Sequence, residues 1–182
     1  MITEINIDLD KKGSLENGIK ELKAYQERID KRCKKLVSRL IEKGIQNVQY
    51  IILNMTYLDT GELLSGLDQS APLAISSTST GSYVGYVRIN SQYAVYVEFG
   101  TGIIGASNPH DKASDFGYSY GSYIDGWWYP TDKSDPNPTK IEGKDGGLIA
   151  HTKGQAAKSF MYDTAIYLGK ILYETALEVF ST

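Results

Sequence analysis

A chain of 182 residues with 41% hydrophobic and 23% charged side chains is ordinary for one globular domain, which excludes global disorder. Its formal net charge of −3 gives no support for a broad nucleic-acid surface, and its single cysteine, Cys33, excludes a disulfide-built module. The opening Met1-Ile2-Thr3-Glu4 has no basic start or apolar run, so no secretory signal is expected, and no stretch approaches the roughly 20 apolar residues that span a bilayer.

The first element is a long helix. Leu15, Leu22, Ile29 and Leu36 fall seven apart, and Ile19, Gln26, Cys33 and Leu40 fill the neighbouring position, a stripe expected to face the core. The basic residues between Lys11 and Lys43 are interleaved with Glu and Asp and read as the solvated face. The stripe continues through Ile41, Gly44, Val48, Ile51 and Met55. An unbroken helix of that length would reach about 60 Å at 1.5 Å per residue, so a bend near Gly44 is expected. Val48 to Leu53 are β-prone, with a strand as the alternative there.

Asp59-Thr60-Gly61-Glu62 has the spacing of a capping box and starts a short helix whose apolar side is Leu63, Leu64 and Leu67. Leu73–Ser77 and Tyr83–Ile89 flank Ser79-Thr80-Gly81-Ser82 and suit a hairpin. Tyr93 to Phe99 read as a short helix ended by Gly100, with a third strand as the alternative. From Thr101 to Gly147 most of the prolines and many glycines accompany the aromatics Tyr118, Tyr120, Tyr123, Trp127, Trp128 and Tyr129. The segment reads as a long insertion loop, separable over 111–146, whose rings either meet a partner or pack back on the parent domain. A last helix is expected from about Ala156 to Phe180, with Met161, Ala165, Leu168, Leu172, Ala176 and Val179 as its stripe and Phe160, Tyr167 and Ile171 beside it.

Signals of chemistry are few. Gly100-Thr101-Gly102-Ile103-Ile104-Gly105 has the spacing of a dinucleotide fingerprint, but that motif needs a following helix, and Pro109 with a glycine-rich continuation argues against one. His110, Asp111 and Asp115 are spaced loosely for a metal site, and neither Cys-x-x-Cys nor His-Glu-x-x-His occurs. Glu98 is a carboxylate in an aromatic setting; no base, nucleophile or second carboxylate is placed beside it, so a structural anchor is favoured over a catalytic acid. No catalytic residue, cofactor or metal is expected.

Tyr93-Ala94-Val95-Tyr96-Val97-Glu98-Phe99-Gly100-Thr101-Gly102 closely resembles the hallmark of a family of long-tailed bacteriophage neck proteins, the tail-completion or head–tail joining family. Asp59-Thr60-Gly61-Glu62-Leu63 resembles that family's Asp-Thr-Gly-x-Leu, and Asn108-Pro109-His110 with Trp128-Tyr129 resembles an insertion in members from phages of Gram-positive hosts. The block from Thr152 through Gly154 to Phe160 and Met161 resembles the one before the family's last helix, with Ala156 and Ser159 where prolines are usual. The resemblance implies an α+β fold in which the long N-terminal and C-terminal helices pack on a small antiparallel sheet. It further implies a non-catalytic virion protein, made in the bacterial cytoplasm and located in the neck. Copies are expected to form a ring, expected to be sixfold, between the head connector or head-closure protein and the tail-tube or tail-terminator protein, with DNA passing through without specific binding. A head-closure or minor capsid protein is the alternative, and a small hydrolytic enzyme using Glu98 with His110 or His151 a more distant one.

Overall fold

The computed structural model describes residues 11–55, 60–68, 76–77, 82–120, 125–135 and 137–181. The expected cap at Asp59, the first part of the hairpin at 73–75, its loop at 79–81 and the aromatic Tyr123 lie outside these. The fold is α+β, in the order α1 (Ser14–Leu53), α2 (Thr60–Gly66), β1 (Ser76–Ser77), β2 (Tyr83–Val84), α3 (Tyr93–Phe99), α4 (Gly102–Ser107), β3 (Trp127–Thr131), β4 (Lys140–Glu142), β5 (Leu148–Thr152), β6 (Gly154–Gln155) and α5 (Phe160–Phe180). The chain forms two compact units, one from 1–50, 67–88 and 164–182, the other from 51–66 and 89–163. Among the described residues, no helix is long and apolar enough to cross a membrane.

In the first unit α1 runs unbroken through Gly44, so the expected bend is absent, and the strand alternative for 48–53 gives way to helix. The glycine serves close approach: a Cβ there would stand 2.8 Å from Val87 and 3.2 Å from Leu168. Ile41, Ile45 and Val48 are buried with Leu67 and Val179. The expected core stripe holds only in this later part of α1. Leu15, Ile19 and Leu22 are exposed, because α5 stops at Phe180, whose carbonyl accepts from Arg32 at 3.2 Å.

The buried face of α5 in this unit is rotated from the expected stripe. Leu172 is exposed, whereas Thr164 and Thr175 are buried. Their hydroxyls are matched by partners on α1: Asn47 donates to Thr164 Oγ1 at 2.9 Å and Lys43 to Thr175 Oγ1 at 3.2 Å. Thr175 also donates to the Ile171 carbonyl. A buried hydroxyl is tolerated once bonded, so polar pairing sets the phase. The expected hairpin appears as a two-residue antiparallel pairing, Ser76 opposite Val84 and Ser77 opposite Tyr83.

The second unit has Ile52, Leu63, Ala94, Val97, Ala113, Ala150 and Phe160 in its core. The region expected as a loop over 101–147 is built instead: it holds α4, β3 and β4. An antiparallel sheet in the order β3-β5-β4 sets Tyr129 opposite Ala150 and Ile141 opposite Ile149. Segment 111–146 therefore supplies two of three strands and does not read as separable. Pro130 is accommodated because β3 is an edge strand. α5 starts at Phe160, four residues later than expected, because Lys158 and Ser159 donate their backbone N–H groups to the Val97 and Glu98 carbonyls rather than entering the helix.

Candidate functional site

The resembling decapeptide begins as α3, which buries Ala94, Val97 and Glu98 and leaves Val95 and Tyr96 exposed, with Tyr93 between. Gly100 ends it at φ 78°, its N–H bonded to the Tyr96 carbonyl at 2.9 Å. A helix end leaves carbonyls without intrahelical donors. Here each finds one. Gln155 reaches Tyr96 O at 3.2 Å, Lys158 N–H reaches Val97 O at 3.0 Å and Ser159 N–H reaches Glu98 O at 3.1 Å. The Tyr120 hydroxyl donates to Phe99 O at 3.0 Å and the Tyr118 hydroxyl to Gly100 O at 2.7 Å. Burial pushes the Tyr118 phenol above its ordinary value, with Tyr120 and Tyr96 adding to the shift, which keeps it a donor. These tyrosines are thus half-buried fasteners of α3. Phe99 stacks on Tyr118 at 4.7 Å and tilts against His110 at 4.8 Å.

The Glu98 side chain points the other way, to the start of α5. Its Oε2 accepts the Met161 N–H at 2.9 Å and its Oε1 the Tyr162 N–H at 3.0 Å. It thus acts as an N-cap supplied from another helix, a carboxylate at the positive end of α5. His110 Nε2 lies 3.2 Å from Oε1. The proton's position follows from the other ring nitrogen: Nδ1 accepts the Lys112 N–H at 2.9 Å, so a neutral ring carries its hydrogen on Nε2 and donates to Glu98. The His110 backbone N–H in turn donates to Tyr120 Oη at 2.9 Å. Both Glu98 and His110 are buried.

Thr101 and Gly102 continue as isolated antiparallel bridges to Gln155 and Gly154. The glycine run is itself helical over Gly102–Ser107, but this short helix ends at Asn108 ahead of Pro109, and no helix follows the glycines over 108–120. Its six residues bury Gly102 and Gly105 against protein, with Tyr120 near Gly105 and the Lys153 backbone near Gly102, which leaves no cradle for a pyrophosphate. Among the described residues no three His, Cys, Asp or Glu side chains could hold a metal ion. His110 is committed to Glu98 and Lys112, while Asp115 pairs with the Lys112 ammonium at 3.1 Å and holds that ammonium above its ordinary value.

Trp127, Trp128 and Tyr129 belong to the sheet. Trp127 and Tyr129 are half-buried, Trp128 is exposed, and its ring lies 4.9 Å from that of His151. Tyr129 and Thr131 both donate to Asp135 Oδ2, and the Asn137 N–H to Oδ1. Those donors, Thr131 first, hold the Asp135 carboxyl down to about 2. Lys140 Nζ sits on the Asp135 carbonyl, and burial pushes the Tyr129 phenol up. Sequence reasoning singled out Glu98 but missed its partners Met161 and Tyr162, since backbone N–H groups some sixty positions away leave no residue-type signal. Asp135, with Asn137 two residues on, carries an Asx-type signal that could have been found.

No protein-family model matches the chain, and neither a curated protein nor a solved structure matches it significantly.

Proposed function

We propose that the chain is a non-catalytic structural protein of a phage neck, a tail-completion or head–tail joining protein that seals the joint as a ring, with six copies as the expected number. Its partners are copies of itself, the head connector or head-closure protein, and the tail-tube or tail-terminator protein. DNA passes without specific binding, in keeping with a formal net charge of −3. The observation that carries this reading is the use of the resembling decapeptide. Its one carboxylate is buried and spent on capping α5 and holding His110, while Val95, Tyr96, Ile103 and Ile104 around it are exposed. Buried, satisfied polar groups do structural work, and exposed apolar side chains suit contact with other subunits.

The test is negative-stain microscopy of the purified chain mixed with connector and with tail-tube protein. Rings are expected on mixing. Absence of any complex with either, together with a hydrolytic activity that disappears in Glu98→Gln, would sink the reading.

A further inference from the structure

The seven-residue apolar repeat of α1 is covered over only part of its length. Leu15, Leu22 and Ile29 at one position, with Ile19 and Gln26 at the other, have the alternating spacing of a two-stranded coiled-coil seam. Beyond Ile29 this seam is covered within its own unit by α5, which runs antiparallel to α1. Phe180 meets Arg32, Glu178 meets Arg39, Thr175 meets Lys43 and Thr164 meets Asn47. α5 ends at Phe180 and, among the described residues, does not reach the seam N-terminal to Ile29. Leu15, Ile19, Leu22 and Tyr25 are 54%, 45%, 51% and 41% exposed. Ile19, Leu22, Tyr25, Gln26 and Ile29 line a shallow apolar groove with Lys23 at its edge.

We infer that this groove takes the same segment of a second copy of the chain, with the two α1 helices antiparallel. A two-fold axis between Lys20 and Glu21 sets Ile19 against Leu22 of the second copy and Leu15 against its Gln26, each contact made twice. The charges flanking the seam complement one another in that register: Glu16 faces Lys23 of the second copy, again twice. A parallel in-register pair would set Gln26 on Gln26 and Lys23 opposite Gly18, with no acid to meet it. The antiparallel arrangement also opposes the helix dipoles favourably and continues the way α5 already covers the rest of the seam. The bare stretch from Leu15 to Gln26 is only about 17 Å long at 1.5 Å per residue, so the pairing is reversible and concentration-dependent. It is a property of the free chain and holds whether or not a ring forms on the connector.

Sedimentation equilibrium of the full-length chain over a concentration series tests it. A monomer–dimer equilibrium is expected, with a dissociation constant raised at least about tenfold by Leu22→Asp and by Lys23→Glu. Glu16→Lys combined with Lys23→Glu should restore the dimer. Direction is read by oxidation on a Cys33→Ser background: Ile19→Cys mixed with Leu22→Cys is expected to cross-link more readily than either alone. Should Leu22→Asp lose helicity, the charge-reversal pair decides, since it alters only flanking residues. A monomer at every concentration for wild type and variants alike overturns the inference, whether the chain's own residues 1–10 or another neck protein then covers the stripe. Cross-links of like with like alone overturn the antiparallel arrangement.

Discussion

Glu98 Oε1 and His110 Nε2 lie 3.2 Å apart in the buried interior of the second unit, and the same oxygen also accepts the Tyr162 N–H at 3.0 Å. One carboxylate thereby caps α5 and anchors the chain leaving α4. Three donors converge on it, and this decides what an isosteric change does. Glu98→Gln keeps one acceptor oxygen and turns an amide NH2 toward groups that themselves donate. The expected cost is about 1–3 kcal/mol, the penalty for a buried donor left without its acceptor. Chemical denaturation followed by circular dichroism reads it, and an unchanged midpoint would mean the carboxylate contributes nothing to the fold.

The pair should also be energetically coupled. His110→Phe retains a ring against Phe99 but loses the donor to Glu98 and the acceptor for the Lys112 N–H. In a double-mutant cycle with Glu98→Gln, a coupling of about 0.5–3 kcal/mol is expected for groups in direct contact. Strict additivity of the two unfolding free energies would show that the contact carries no energy.

The backbone around Gly154 makes a sharper demand. Its φ is 92°, and a Cβ there would run into the Thr101 carbonyl at the bridge to Gly102. Gly154→Ala combines left-handed strain with a clash against backbone, so a loss of at least about 1–3 kcal/mol is expected. Gly147→Ala, where a Cβ meets open space, serves as the control and should stay within about 0.5 kcal/mol. Equal stabilities for the two variants would remove the argument.

How much of this was legible beforehand depended on where each partner lay. α3 and its stop at Gly100 follow from a local apolar run and a residue that tolerates positive φ, and the structure has both. α1 was legible as a helix, but periodicity reports a face and not what covers it, so the exposure of Leu15, Ile19 and Leu22 was invisible. The phase of α5 was misread because Thr164 and Thr175 are buried only by virtue of Asn47 and Lys43, more than a hundred residues away. β3 was obscured by Pro130, which an edge strand admits, and β5 by the absence of a clear alternation in Leu148–Thr152. Glu98 stood out by its residue type, whereas its capping role depends on backbone groups that carry no such mark.

Acid should reach the sheet through Asp135. Its folded value near 2 lies below the ordinary 3.8, so its donors stabilise the fold fully above about pH 4. That contribution is lost as pH falls from about 4 towards 2, where the carboxylate protonates even when folded. Asp132, held down by the Ser134 hydroxyl and N–H, acts in the same direction. Stability measured by tryptophan fluorescence, with Trp127 and Trp128 on β3, should therefore decline across that window. In Asp135→Asn the decline should be shallower and the starting stability lower. An identical pH profile for both proteins would assign the acid sensitivity elsewhere.

Excision of 111–146 tests whether the segment belongs to the fold of its unit. The cut removes β3 and β4, leaving β5 without either strand partner, and takes away the Tyr118 and Tyr120 hydroxyls that satisfy the Gly100 and Phe99 carbonyls. Buried carbonyls stripped of donors cost about 1–3 kcal/mol each, and a lone strand has no ladder to replace the lost bonds. The shortened chain is thus expected to unfold well below the intact protein's melting temperature or to aggregate. Trp128→Ser is the companion variant: its ring is exposed, so the melting temperature should change little, while any loss of ring formation on connector would report an interface. A deletion variant as stable as the intact chain would return the segment to the status of an appended loop.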